Sequence, residues 1–230
     1  MSEISGILNK LSGTQEKEIL LQVEKYFLRI KDTQSCWYEK SQFFCPAGCG
    51  ECCRDFEPYL LDCEALYVAA WLLENQSEVA KNVALGKFPF ERQKGCQFWS
   101  ENEPHHCTIY GGRVFICRLF GASAVLSKTG AAVFKICKFF PDKKLCEYKS
   151  PLQKNENFLP VKKHRQYSQK ETEEIFGTMP PVMSDLMEEA ENIEPDSHET
   201  KLMREILPQE IRRLEWIISL NTDSQKKAAE

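Results

Sequence analysis

Four cysteines fall within nine residues: Cys45, Cys49, Cys52 and Cys53, in the string CPAGCGECC. A free cysteine buries well as a small apolar group, but Pro46, Gly48 and Gly50 interrupt this string, so its offsets of four, three and one residues do not mark one buried face. Two glycines and a proline break the segment into a loop, so its sulfurs can converge. Soft thiolates gathered at one point are a donor set for zinc, iron or an iron–sulfur cluster.

Cys96, Cys107, Cys117 and Cys137 follow at intervals of about ten to twenty residues. Eight thiols allow two closed tetrahedral zinc sites, or a cubane iron–sulfur cluster with four thiols left for a second centre or a redox pair. The side chains of adjacent Cys52 and Cys53 would diverge in extended backbone, which suits two centres better than one. Arg54 beside that pair, and Arg113 and Arg118 around Cys117, are cations of the kind that lower a thiol pKa. The expected grouping puts Cys45, Cys49, Cys52 and Cys117 in a first set and Cys53, Cys96, Cys107 and Cys137 in a second.

Helices and short strands must position these groups. Ile19, Val23, Tyr26 and Ile30 recur at helical spacing and predict a helix over Thr14–Lys31, with Ser12 and Gln15 as its capping box. A second helix is predicted from Pro58 or Tyr59 to Asn75; it is apolar on most sides and therefore buried, with Pro58 in the first turn and Cys63 as a small packed residue. Between Gly95 and Phe140, CQFW, HHCTIY, GASAVL and AAVFKIC read as short strands, with Lys128-Thr129-Gly130 as a turn and Tyr110–Phe120 as a short helix or irregular piece. A polar connection over Pro141–Gln169, containing Pro151 and Pro160, leads to helices over Pro181–Glu191 and Thr200–Leu220, where Pro208 kinks the helix or begins its last segment. The expected fold is α+β and mainly helical, a small cysteine-rich core with short β elements flanked by N- and C-terminal helices. Residues 1–34 would form the N-terminal helix, 35–147 the metal-binding domain, and 148–230 a polar connection and C-terminal helices.

A chain of 230 residues can bury a real core without disulfides, and 11 cysteines cannot all pair internally. The N-terminal residues show no apolar stretch of signal-peptide length, and the longest apolar run, Ala65–Leu73, is too short to span a bilayer. These features predict a cytoplasmic protein with reduced thiols and favour metal binding over a disulfide framework. The net charge of −4 hides a basic block, Asp142–Lys170, followed by an acidic one, Glu171–Thr200, that has no Lys or Arg. The basic stretch is short and its aromatics, such as Phe158 and Tyr167, are scattered, so solvated faces are expected, with no nucleic acid and no membrane as partners. An unknown protein partner stays open.

The ordered strings CPAGCGECC, CQFW, CTIYGGRVFICRLFGAS and FKIC closely resemble the YkgJ-type cysteine-cluster family, a zinc- or iron-chelating domain. The resemblance covers roughly Phe43 to Phe140 and carries all eight cysteines, together with Tyr110, Arg113 and Arg118. It implies metal or iron–sulfur binding by Cys45, Cys49, Cys52, Cys53, Cys96, Cys107, Cys117 and Cys137. One departure is Val114, where the family usually has proline; this frees a backbone N–H and loosens the turn before Cys117 without removing a ligand. Flagellin lysine N-methylases look like larger enzymes containing this domain, and nothing in the present sequence supplies the rest of such an enzyme.

Three rival chemistries fit less well. Cys45, Cys49 and Cys52 satisfy the CxxxCxxC of radical S-adenosylmethionine enzymes, but Glu51 stands where those enzymes carry an aromatic, no glycine-rich string follows, and the strand–helix alternation of a barrel is missing. Vicinal Cys52 and Cys53 could form a strained, reducible disulfide, which leaves six ordered thiols unexplained. A cysteine hydrolase lacks a recognisable Cys, His and Asx set. Structural zinc is the serious alternative to a cluster, and His105 and His106 beside Cys107 could contribute to it, although paired histidines on a turn more often face solvent. His164 and His198 lie in polar segments and are given no role. The reading is a metal-binding protein whose cofactor is an iron–sulfur cluster or, failing that, zinc, serving electron transfer, sensing or support of a modification enzyme, with no catalytic residue assigned.

Overall fold

Residues Cys63–Leu72 are buried one after another, ten in succession, as in a helix enclosed on every side. The computed structural model describes residues 2–45, 48–152, 161–197 and 199–229; Pro46, Phe158, Pro160 and His198 lie outside them. In chain order the elements are α1 (Ser5–Lys10), α2 (Gln15–Ser41), α3 (Glu51–Arg54), β1 (Tyr59–Leu60), α4 (Asp62–Asn75), α5 (Ser77–Ala84), α6 (Phe115–Leu119), β2 (Ala124–Leu126), β3 (Ala132–Lys135), α7 (Asp142–Glu147), β4 (Gln166–Ser168), α8 (Gln169–Phe176), α9 (Met183–Glu191), β5 (Lys201–Leu202) and α10 (Met203–Ala229). The fold is therefore mainly helical α+β, with its few short strands in two small sheets.

Two apolar cores divide the molecule. The larger surrounds α4, with Leu20, Val23 and Phe27 of α2 and Leu207, Ile211 and Leu214 of α10 packed around it. The smaller is aromatic and contains Trp37, Phe43, Phe134, Phe140, Tyr167 and Phe176. Helix α2 serves both, because its N-terminal part buries Ile19 to Ile30 in the first core and its last turns bury Trp37 in the second. Its start is capped by Thr14, whose hydroxyl accepts from Lys17 N at 3.3 Å, in place of the expected Ser12 and Gln15 box. The helix also runs ten residues past Lys31, where polar residues Lys31–Ser35 interrupt the apolar spacing that Trp37 resumes.

The segment expected to open the second helix instead pairs as β1 with β5, Tyr59 opposite Leu202 and Leu60 opposite Lys201. This places Pro58 outside the helix, where its carbonyl accepts from Met203 N at 3.1 Å. In the second sheet β2 and β3 form a hairpin around Ser127–Gly130, and Gly130 takes the left-handed φ of +80° that the turn requires. Strand β4 adds on the other side of β3, Phe134 opposite Tyr167. The strings CQFW and HHCTIY contribute only a single bridge, Trp99 to Cys107, so they are turns held by a few backbone bonds rather than strands. Pro208 lies inside α10, and no helix among the described residues is long and apolar enough to cross a membrane.

Candidate metal centre

Phe43 is locked into the aromatic core, stacked on Phe140 at 4.6 Å, and the two chain segments that reach this pair carry Cys45 and Cys137. Those two thiols stand near Cys49 and Cys52: the charges of Cys49, Cys137 and Cys52 all oppose ionisation of Cys45, and those of Cys52 and Cys49 oppose ionisation of Cys137. This is an open group. Cys45 is exposed, and Cys52 and Cys137 both border a surface cleft of about 630 Å³ that also carries Lys135, Lys138 and His164.

A second, closed group rests on the helical core. Cys96, Cys107 and Cys117 pack against it, and with Cys53 they line a cavity of only about 30 Å³. Cys96 and Cys107 are set by a knot of backbone bonds, Trp99 N to Cys96 O at 3.2 Å and Thr108 N to Phe98 O at 3.0 Å, and Trp99 donates through Nε1 to Gly50 O at 3.2 Å. That last bond ties the knot to the loop carrying Cys49. Cys117 rides on α6, and its charge is opposed by those of Cys96 and Cys107.

The neighbourhoods differ from the expected grouping in two members: Cys137 lies near Cys45, Cys49 and Cys52, and Cys117 lines the small cavity with Cys96 and Cys107, while it also borders a larger space with Cys45, Cys49 and Cys52. The cause is which core each segment packs on, information that spacing does not carry. Cys52 and Cys53 lie in a short helix rather than extended backbone, their sulfurs 3.7 Å apart, yet they do border different spaces, Cys52 the cleft and Cys53 the small cavity. A third space of about 400 Å³ lies between the groups and touches Cys45, Cys49, Cys52, Cys53, Cys107 and Cys117. Of the other thiols, Cys63 is buried as expected, and Cys36 and Cys146 are exposed.

Burial and mutual repulsion outweigh the nearby cations. Burial pushes the Cys96 thiol up to about 12 with Cys107 adding to it, and partial burial followed by the neighbouring thiols raises the more exposed Cys45. Cys52 is raised first by its hydrogen bond with Cys53 and then by burial, and burial also raises Cys107, Cys117 and Cys137. Arg113 is the cation that opposes this at Cys52, Cys107 and Cys117. Arg118 is turned to structure instead, donating to Arg113 O at 2.7 Å and Gly111 O at 2.9 Å with its guanidinium 4.0 Å from the Phe27 ring centroid. A set of thiols that resist ionising one another is a set whose thiolates need a cation, and a bound metal deprotonates a coordinating thiol outright. As placed, no three His, Cys, Asp or Glu side chains among the described residues stand close enough together to hold a metal ion. The thiols of each group would have to draw together as an ion enters, and their chemistry and clustering fit zinc or iron.

Val114, at the proline position, takes φ −80° and ψ 172° as the residue capping α6, and its N–H donates to no partner among the described residues. That backbone is already suited to proline. Val114→Pro is expected to stabilise the chain by about 0.5 to 1 kcal/mol through the unfolded state, seen as a melting temperature raised by roughly 1 to 3 °C; a lowered one would show that the ring displaces Arg113.

Sequence reasoning missed the supports. Glu64, 4% exposed, accepts from Phe115 N at 2.6 Å and from Leu61 N at 3.2 Å, joining the first turns of α6 and α4. A Glu at the third position of an otherwise apolar helix is a capping signal, so this one was available. Glu57 pairs with Arg204, which also donates to Arg92 O and Gly95 O, and Arg92 lies over the Trp99 ring at 4.4 Å. No local pattern announces that chain of contacts.

A family model described as "putative zinc- or iron-chelating domain" matches residues 44–174, more than half of the chain. The chain belongs to this family, and metal binding is the function that membership carries. The match reaches past Phe140 to include β4 and most of α8, the pieces that complete the sheet just before Cys137. No curated protein and no solved structure matches the chain.

Proposed function

We propose that this chain is an iron–sulfur protein in which Cys45, Cys49, Cys52 and Cys137 hold the cluster, while Cys96, Cys107 and Cys117, with a fourth donor from the same cavity wall, close around a single zinc or iron ion. The inequality of the two groups carries this reading. A cavity of about 30 Å³ has room for one ion, whereas Cys52 and Cys137 border a cleft of about 630 Å³, and Cys45, Cys49 and Cys52 border a space of about 400 Å³ that they share with Cys53, Cys107 and Cys117; both are roomy enough for a cluster several atoms across. When bound, such a cluster supplies one-electron chemistry. The protein's part is to bring the four thiols together from two segments, to shield them on the aromatic side, and to leave Cys52 and Cys137 at the cleft where a redox partner could approach. In this reading residues 35–147 carry the chemistry, and residues 1–34 and 148–230 frame it.

Anaerobic purification followed by iron, zinc and acid-labile sulfide analysis and an optical spectrum tests the reading. Iron with sulfide and a visible charge-transfer band are expected, the band being lost in Cys45→Ser and kept in Cys117→Ser. Colourless protein with stoichiometric zinc, no labile sulfide and no band after reconstitution would sink the cluster and leave zinc, as structural crosslink or binding platform, in its place.

A further inference from the structure

His106 does not behave as a solvent-facing turn histidine. Its backbone is left-handed, with φ +52°, a conformation uncommon for residues other than glycine though tolerated by histidine. The turn is held there by His106 N to Glu103 O at 2.9 Å and Ser100 N to His106 O at 3.2 Å. In a strand, adjacent residues 106 and 107 would point to opposite sides. Here both side chains line the same small cavity, with Cys53, Cys96 and Cys117. Neighbouring His105 is exposed and stacks on Tyr110 at 4.1 Å, outside that cavity.

The imidazole is also oriented. Its Nδ1 is 3.0 Å from the carbonyl oxygen of Ser100, and because a carbonyl only accepts, Nδ1 is the donor of this bond and Nε2 is the nitrogen left to face a ligand. A histidine that ligates through one nitrogen typically donates its other N–H to a carboxylate or a backbone carbonyl in this way. Its ring lies against Trp99 with centroids 5.6 Å apart and planes 17° from parallel. Gly50 makes room for it, since a Cβ there would come within 2.2 Å of His106 Cβ. Cys53, the rival for the same place, has its sulfur 3.7 Å from that of Cys52.

We infer that the closed centre is a mixed site in which Nε2 of His106 is the fourth donor beside Cys96, Cys107 and Cys117, leaving Cys53 with Cys52 at the open group. This rests on the reading that the closed group binds an ion. A three-thiolate, one-imidazole set is a familiar structural zinc set and carries less negative charge than four thiolates, which suits a buried site. The two centres would then differ in donor chemistry as well as in size, nitrogen and sulfur at the closed one and sulfur alone at the open one.

Cobalt(II) replacing the native metal in the full chain, with Cys45→Ser and Cys49→Ser silencing the open group, reads the donor set. Expected are a sulfur-to-cobalt charge-transfer band of three-thiolate intensity, a shifted ligand-field band and affinity at least about tenfold weaker in His106→Gln, and no change in Cys53→Ser. Four-thiolate intensity that falls in Cys53→Ser and is untouched by His106→Gln would overturn the inference while leaving the closed metal site standing. A cobalt spectrum indifferent to Cys117→Ser would instead remove the closed site itself and this inference with it. Should the variants fold poorly, cadmium NMR of the unsubstituted chain with nitrogen-15 histidine decides: coupling of one histidine to cadmium is expected, and its absence at a filled closed site refutes the assignment.

Discussion

Stripping metal from the protein is expected to loosen the cysteine-bearing half and to leave the helical core folded. Helix α4 is enclosed by α2, α5 and α10 through a continuous apolar cluster that needs no thiol to hold it. The cysteine segments lean on this core through Phe98, Ile109, Phe115 and Leu119 but have little regular backbone structure of their own. Helices α3 and α6 have four and five residues, far below the length at which a helix is stable by itself, and the residues between Gly95 and Thr108 share only one strand bridge. An ion bound a thousandfold above its dissociation constant contributes about 4 kcal/mol, and structural zinc sites in small domains contribute more. Without the ion, buried thiols that oppose one another's ionisation have nothing to draw them together. Hydrogen exchange with and without chelator should show protection lost from Cys49–Arg54 and from Cys96–Cys117 while the amides of α4 keep theirs. Uniform loss across both regions would mean that the metal and the helical core fold as one unit, and no loss anywhere would mean that the thiols are held by packing alone.

The elements that sequence periodicity revealed are those with one uninterrupted apolar face, such as the first half of α2, the body of α4 and the start of α10. What escaped it depends on contacts between distant segments. Tyr59 and Leu60 look like the head of a helix until Lys201 and Leu202 offer them a strand partner. Gln166–Ser168 is polar and short, and becomes a strand only because β3 presents an edge to it. The same limit governs the site. All eight cysteines stand out by type and spacing, and each borders the cleft, the small cavity or the space between the groups, yet spacing could not say that Cys137 lies near Cys45. That follows from Phe43 and Phe140 stacking in the aromatic core, while Cys96, Cys107 and Cys117 lean on the helical one. Val114 illustrates the reverse case, a departure that suggested a looser turn but leaves a backbone of φ −80° that proline itself could adopt.

Glu64 should govern how firmly α6, and with it Cys117, is held. Its carboxylate accepts from the N–H groups of Phe115 and Leu61, so Glu64→Ala leaves two buried donors without partners, at a cost of about 3 kcal/mol or more. Burial raises the Glu64 pKa to about 7 from an ordinary 4.5, against the pull of the two N–H groups and of Arg118. The folded chain therefore holds this proton more tightly than the unfolded chain. Its contribution to stability is fully present below about 4.5 and is lost as pH rises through about 7, a loss of roughly 3 kcal/mol across that window. Metal binding slopes the other way, because acid returns protons to the thiols, so the informative quantity is the difference between the wild type and Glu64→Gln at equal free metal. Gln can accept from only one of the two N–H groups but buries no charge. Denaturant melts should find it close to the wild type at pH 4.5, where both side chains are neutral, and more stable than the wild type at pH 8, where only the wild type buries a charge. A difference that stays constant over that range would mean that Glu64 remains ionised throughout, with its two backbone donors outweighing burial, and α6 would then be anchored by a permanent charge beside Arg118 rather than by a carboxyl that changes state near neutrality.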